Sequence, residues 1–361
     1  MTENDSPPLS PAPDLPYKPR DPKRYRPRIA LIGCGGIAGD HLKAYRQGGY
    51  DVAAVCDLDE SAARKRQQEY YPQAEVYTDF RKLLARDDIE VVDIATHPTV
   101  RNPIVEAALR ARKHVLSQKP FVLDLDDGLR LVELADKQGV QLAVNQNGRW
   151  APHFSYAREA VAAGLLGDVF GVHLNVHWDH TWVATTPFAK VKHLILYDYA
   201  IHSFDIALCL LGDRPVRRVY ASAVRTARQQ IMPALLAQSV IEFDDAQASL
   251  VFDADTPFGP ENRTFVAGTK GSIVSRGPHE KQQQLRLTTA GGAAEPKLEG
   301  RWFPDGFHGT MGELLCAIEE GRTSSINAAD NLKSLAVCFA AVASAAMHQP
   351  IVPGEVRTLV D

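Results

Sequence analysis

Apolar positions along the chain fall into two rhythms. Between residues 28 and 147, short apolar runs at 28–32, 52–56, 91–96, 114–117 and 141–145 alternate with stretches at 40–47, 61–70, 103–112 and 125–138. The runs read as buried strands and the stretches, where apolar residues recur every three or four positions, as helices. Strict alternation of the two predicts a parallel sheet with right-handed crossovers. Past residue 150 the rhythm changes. A helix over 154–163 closes at Gly164, and 169–178 alternates like a strand with one covered face. The stretch 198–211 places Ile201, Phe204, Ala207, Leu208 and Leu211 at helical spacing, with Gly212 as its stop. Runs at 216–224, 238–243, 248–252, 264–267 and 285–288 read as hairpin-linked, largely antiparallel strands, turning at Asp244-Asp245 and Thr269-Lys270-Gly271. Helices over 307–320 and 328–347 close this second domain, and no repeat of fixed period runs through the chain.

Before the first strand, residues 1–27 carry eight prolines and no apolar period, so they are expected to form an arm with no packed element of its own. Its end is basic, with Lys18, Arg20, Lys23, Arg24, Arg26 and Arg28. A solvated linker or an arm laid across a neighbouring subunit accounts for that better than nucleic acid does, and the subunit arm is favoured.

Bulk composition narrows the classes without choosing one. A chain of 361 residues exceeds the size at which a single core keeps growing, so two domains are expected. Hydrophobic residues at 45%, charged residues at 23% and a net charge of −4 provide no field suited to nucleic acid or to a membrane surface. The longest apolar stretch, 335–347, falls short of the ~20 residues a membrane span needs. The start has no apolar segment behind basic residues, which argues against secretion. Cys34, Cys56, Cys209, Cys316 and Cys338 are odd in number and contain no CxxC pair. They read as reduced core thiols of a cytoplasmic protein, with Cys34 in its glycine loop the accessible one.

The chemistry begins at that loop. The strand at 28–32 runs into Gly33-Cys34-Gly35-Gly36-Ile37-Ala38-Gly39 and then into a helix. Gly33, Gly35 and Ala38 fit GxGxxA. The first position permits the tight turn, the second lets a pyrophosphate approach the backbone, and the small third lets helix and strand pack closely. The phosphates would meet unpaired N–H groups at the helix N-terminus. The next strand ends at Asp57, where an acid accepts from the adenosine ribose and repels a 2′-phosphate, so NAD is read over NADP. The fold class expected is therefore α/β: an N-terminal Rossmann domain with a doubly wound parallel sheet over 28–148, then a C-terminal α+β domain with an open, mostly antiparallel sheet over 149–361 for substrate binding and oligomerisation. Two further loops leave the ligand edge of the first sheet, one at Thr96-His97-Pro98 and one at Gln118-Lys119-Pro120. The candidate cofactor contacts are Gly33, Gly35, Gly36, Ile37, Asp57, Thr96, His97, Lys119 and Asn147.

Asp198 and His202 stand four apart on one expected helix and share a face, which Asp205 extends. An ordinary intrahelical pair explains that spacing slightly better than catalysis does. Lys119 tips the balance, since a lysine between a strand end and a proline at a ligand edge is badly placed for a merely solvated charge.

Here the chain resembles the Gfo/Idh/MocA oxidoreductase family across nearly all of residues 28–350. The resemblance rests on the glycine loop, on His114-Val115-Leu116-Ser117-Gln118-Lys119-Pro120 against HVLxEKP, and on Asn147-Gly148-Arg149-Trp150 against NxRF/W. It rests also on Asp198-Tyr199-Ala200-Ile201-His202 against DxGxH and on Gly268-Thr269-Lys270-Gly271 against a GTxG hairpin. Gln118 stands where the family has Glu, and Ala200 where Gly is usual. The resemblance implies bound nicotinamide, a homo-oligomer (dimer or tetramer), and a catalytic trio carried by Lys119, Asp198 and His202. Oxidising a secondary alcohol removes the hydroxyl proton as the carbinol hydrogen leaves as hydride, so a base must reach that oxygen. His202 is the candidate base, Lys119 the positive charge beside the alkoxide, and Asp198 the group that orients substrate or imidazole.

His173, His177 and His180 have ligand-like spacing, yet no cysteine or clustered carboxylate completes a tetrahedral set, so no metal is expected. The resemblance places that strand and its loop beside the substrate, where Trp178, His180 and Trp182 would form a wall for a sugar ring; plain packing accounts equally for Trp178. Arg149 reads as a solvated charge, an ion pair or a substrate contact, in that order, and His308 is similarly open. The candidate substrate contacts are Lys119, Arg149, Trp178, His180, Asp198 and His202. The function expected is that of an NAD-dependent dehydrogenase acting on a sugar, cyclitol (an inositol dehydrogenase, for instance) or polyol. The alternatives are a glycoside hydrolase that retains NAD and uses transient oxidation, and a non-catalytic cofactor-binding scaffold.

Overall fold

A computed structural model describes residues 8–359, which divide into two compact units. The first comprises Pro19–Asn147 together with Phe303–Leu335; the second comprises residues 8–18, Gly148–Trp302 and the chain from Ala336 on.

In the first unit the alternating pattern becomes β1 (Arg28–Ile32), α1 (Ala38–Gln47), β2 (Asp51–Cys56), α2 (Glu60–Tyr70), β3 (Glu75–Tyr77) and α3 (Phe80–Leu84). It continues with β4 (Val91–Ile94), α4 (Pro98–Arg110), β5 (His114–Ser117), α5 (Leu125–Gln138) and β6 (Leu142–Val144). All pairings are parallel, in the order β3-β2-β1-β4-β5-β6. The order reverses between β1 and β4, so their carboxyl ends open the crevice in which such sheets bind ligands. The helices are delimited by the residues that pattern picks out. Asp59 accepts from Ser61 N at 2.9 Å to start α2, Asp124 accepts from Asp126 N at 2.7 Å to start α5, and Gly139, left-handed at φ 68°, ends α5. α4 begins at Pro98, five residues before the start expected from the sequence. Proline suits the first helical position, and Pro103 lies inside the helix.

The second unit holds α6 (Pro152–Ala162), β7 (Val169–His177), α7 (Ile201–Leu211), β8 (Arg218–Val224), β9 (Leu236–Glu242), β10 (Gln247–Asp253) and β11 (Glu261–Gly268). β12 (Gly271–His279), β13 (Gln282–Thr289) and β14 (Gly292–Ala294) follow. The sheet runs β14-β13-β12-β11-β7-β10-β9-β8, and its strands alternate buried with exposed residues, as a sheet covered on one face must. One pairing departs from the hairpin expectation: β10 lies parallel to β7, because α7, β8 and β9 intervene and supply the crossover. β12 and β14 escape the sequence pattern because glycine, proline and alanine dilute their alternation.

The chain leaves the first unit after Asn147 and returns to it for Phe303–Leu335. α8 (Trp302–Glu320) belongs, from Phe303 on, to the first unit: Phe307 packs 4.4 Å from the His41 ring and Thr310 donates to Asn145 Oδ1 at 3.1 Å. α9 (Ala328–Met347) starts in the first unit, where Leu332 fills the space beside Gly128, and ends in the second.

From Pro8 the arm lies along its own chain and is not a free solvated segment. Ser10 N donates to Ala293 O at 2.8 Å, Tyr156 to Pro13 O at 3.0 Å and Ser155 to Tyr17 O at 2.6 Å. In the first unit Glu319 accepts the N–H groups of Lys23, Arg24 and Tyr25, and these hold its carboxyl below the ordinary carboxylate range. Asp21 accepts from Tyr50 and pairs with His308 at 2.8 Å, so His308 anchors the arm. A proline-rich segment with no ladder of its own is held by side chains and by the Ala293 backbone, which satisfy its backbone groups.

All five cysteines are free, but Cys34 is buried; its thiol is pushed up to about 12 by burial and by the neighbouring Asp57 carboxylate. The partly exposed thiol is Cys209. No helix among the described residues is long and apolar enough to cross a membrane.

Candidate active site

Glycine-loop geometry follows from the close approach of β1 and β4. Gly33 has φ +97°, and a Cβ there would stand 2.8 Å from the carbonyl carbon of Ala95, so only glycine lets the two strand ends pack. Gly35 and Gly36 face open space, with nothing within 4 Å of a Cβ. Arg66 of α2 donates to both of their carbonyls, at 2.8 and 3.2 Å, and so holds the loop in place. Ile37 caps α1 with no side-chain hydrogen bond, so no side chain occupies the helix N-terminus where an anion would sit, and the buried Ala38 provides the small third position. Asp57 accepts Cys34 N at 2.7 Å and Asp59 N at 3.0 Å, which ties the acid to the loop it was expected to serve.

The other two edge loops are joined by a residue that sequence reasoning missed. Arg101 on α4 is 1% exposed, and its guanidinium donates to Thr96 O at 3.0 Å, to Gln118 O at 2.5 Å and to the carbonyl of Pro120. One buried cation therefore fixes the loop of Thr96 and His97 to that of Lys119. Thr96 Oγ1 is buried with no hydrogen-bond partner among the described residues, as are both amide atoms of Gln146, directly after β6. Asn147 is buried beside it. Orphaned polar atoms at a ligand edge, an open glycine face and an uncapped helix fit a dinucleotide with its phosphates on α1.

In the second unit Asp198 is not on the helix of His202. Residues Leu194–Tyr199 form a wide π turn, with Ala200 N bonding to Ile195 O at 2.8 Å, and α7 starts only at Ile201. The shared-face argument for Asp198 and His202 therefore does not hold as a regular helical spacing. Asp205 forms an ion pair with Arg149. It is 1% exposed and binds Arg149 with both oxygens, at 2.6 Å to Nε and 2.7 Å to Nη2. Arg149 is thus a buried ion pair and not a solvated charge.

His202 lines a pocket with Tyr199, Trp302, Asn175, Glu280 and Gln283. Trp302 meets His202 edge-on at 5.3 Å, and burial pushes the Tyr199 hydroxyl well above its ordinary range. Behind Tyr199 stands the expected aromatic group: Trp178 stacks on it at 4.5 Å and donates to His180 Nδ1 at 2.9 Å, and His180 lies 5.1 Å from Trp182. Trp178 and His180 support the wall through Tyr199. Tyr199 and Trp302 carried no signal of their own in the sequence. His173 pairs with Ser249 at 2.7 Å and His177 with Asp253 at 2.8 Å, so the three histidines have separate partners.

His153 lines the same pocket, and burial pushes its imidazole down to about 3. Its folded value lies below the ordinary 6.5, so between those two pH values the unfolded chain binds a proton that the native state refuses. Stability attributable to this group is intact above about 6.5 and falls as the pH drops, by about 1.4 kcal/mol per unit. His153→Phe is expected to remove about one proton from the uptake on unfolding at pH 5, read from the pH dependence of urea midpoints.

Comparison with known proteins agrees with this architecture. The model of an oxidoreductase family with an NAD-binding Rossmann fold, Gfo/Idh/MocA, matches residues 27–146, and that of the Gfo/Idh/MocA C-terminal domain matches residues 154–274. A D-apiose dehydrogenase of Paraburkholderia graminis is 28% identical over 335 residues, covering 88% of this chain and 87% of its own. An inositol 2-dehydrogenase of Rhizobium meliloti is 28% identical over 333 residues, covering 90% and 98%. The crystal structure of an oxidoreductase from Agrobacterium radiobacter in complex with NAD+, L-tartaric acid and magnesium has the same fold, with a TM-score of 0.82 at 24% identity over 91% and 99% of the two chains. A putative myo-inositol dehydrogenase from Sinorhizobium meliloti follows at 0.75 and 25% over 91% and 100%. With both domain models matched in order and the glycine loop built as that fold requires, the chain belongs to the Gfo/Idh/MocA family of oxidoreductases.

Proposed function

We infer that the protein is an NAD-dependent dehydrogenase of a sugar, cyclitol or polyol, oxidising one secondary alcohol to a ketone or running that reaction in reverse. The observation that carries this reading is the His202 pocket, where an imidazole stands among aromatic faces and the hydrogen-bonding side chains Asn175, Glu280 and Gln283. Flat apolar walls with several polar groups suit a ring bearing many hydroxyls. Relatives named for the oxidation of D-apiose and inositol support the same substrate class.

NAD, when bound, supplies the hydride acceptor; the chain supplies the rest. His202 takes the hydroxyl proton, Lys119 stabilises the negative charge that develops on that oxygen, and Asp198 orients the carbinol. Trp178 and His180 support the wall, and Arg149 is committed to its buried ion pair with Asp205.

The test is a panel of cyclitols and aldoses with NAD or NADP, followed by the absorbance of reduced nicotinamide. Turnover of at least one polyol is expected. Glycoside cleavage without net NADH would replace the reading with a hydrolase, and NAD binding without any turnover would replace it with a scaffold. For the cofactor, Asp57→Asn keeps an acceptor for Cys34 N but removes the charge. It is expected to raise the NADP to NAD ratio of kcat/KM about tenfold, equivalent to about 1.4 kcal/mol of relieved repulsion; an unchanged ratio counts against the ribose assignment. Assembly as a homo-oligomer and residence in the cytoplasm complete the proposal, both resting on family likeness and on the free cysteines.

A further inference from the structure

We propose that Gln118 is a positioning residue that, with His41 and Asp93, holds the peptide of Lys119 through a buried relay with one fixed arrangement of protons. It bears on the reaction through the reading above, in which Lys119 acts on the substrate.

The arrangement follows from one donor of known direction. Lys119 N–H can only donate, and it meets Gln118 Oε1 at 2.7 Å. The other amide atom of Gln118 is therefore the NH2, and it lies 2.9 Å from His41 Nε2, which must accept. The imidazole proton is then on Nδ1, which donates to Asp93 Oδ2 at 2.6 Å. Tyr45 donates to the same oxygen at 2.6 Å, and burial keeps its hydroxyl protonated. Asn145 Nδ2 adds a longer contact of 3.4 Å to His41 Nε2 and is itself held by Thr310. His41, Tyr45 and Asp93 are fully buried, Gln118 is 5% exposed, and the Phe307 ring covers the imidazole.

Glutamine and glutamate are not equivalent at this position. A carboxylate would still accept the Lys119 N–H but has no hydrogen to give His41 Nε2. Keeping that contact would require a second imidazole proton, making an imidazolium between two carboxylates. Gln118 makes both contacts with no such proton, so the lysine's backbone is set independently of proton exchange inside the fold.

The experiment is nitrogen-15 NMR of the histidine side chains in the full chain, with the His41 signals assigned by their loss in His41→Gln. Amide exchange at Lys119 is followed alongside. In the wild type, His41 is expected as the neutral Nδ1–H tautomer. Gln118→Glu is expected to give the imidazolium signature while keeping Lys119 N–H protection. Gln118→Ala is expected to speed exchange there about fivefold or more. A wild-type His41 protonated on Nε2, or Lys119 exchange unmoved in Gln118→Ala, overturns the proposal. Neither readout uses a substrate, so an absence of polyol turnover would defeat the assigned reaction and leave the relay standing.

Discussion

Lys119→Ala is expected to lower kcat for polyol oxidation by roughly 10²–10⁴-fold while leaving the NAD dissociation constant within about threefold. The separation is possible because the loop is held by its backbone. Gln118 Oε1 accepts the Lys119 N–H, and Arg101 grips the carbonyls on either side of it, at Gln118 and Pro120. Truncation of the side chain leaves all of these contacts in place, so a fall in rate reports the missing ammonium and not a displaced loop. The measurements are initial rates of nicotinamide reduction, NAD binding by calorimetry and the thermal midpoint. A kcat within threefold of wild type would remove Lys119 from the chemistry and favour the scaffold alternative.

Arg149→Met is expected to cost about 3–5 kcal/mol of stability, because it removes the guanidinium that both oxygens of the buried Asp205 carboxylate bind. Side-chain exposures of 7% and 1% keep the pair out of bulk solvent. The neighbouring Arg158 donates to Arg149 O at 3.0 Å and lies over the Trp150 ring at 5.4 Å. Arg149→Met combined with Asp205→Leu is expected to recover most of the loss, since an apolar pair of similar volume avoids the desolvation cost of both ions. Denaturant unfolding of wild type, single and double variants decides this. A double variant no more stable than the single would mean that the pair contributes through specific geometry that apolar packing cannot replace.

The candidate site was legible in the chain wherever its elements are local. Gly33, Gly35, Ala38 and Asp57 announce themselves because the turn, the phosphate approach and the strand end all lie within one strand-helix-strand unit. Lys119 was legible because a strand end and a proline flank it. Asp198 and His202 were legible as residues but not as a geometry, because a wide turn at Leu194–Tyr199 cannot be told from α-helix by apolar spacing. Arg66, Arg101, Tyr199 and Trp302 went unnoticed, since each acts on groups that neighbour it only after folding.

Periodicity and turn residues are enough to predict a parallel sheet followed by a largely antiparallel one, and a glycine loop of the dinucleotide-binding kind, because each depends on contacts a few residues apart. Folding was needed to assign α8 to the first unit, to set β10 parallel to β7, to bury Arg149 against Asp205 and to link His41 to Gln118. Those outcomes depend on which distant side chains meet in a medium of low dielectric, where an unpaired charge or N–H is costly and its partner has no fixed place in the sequence.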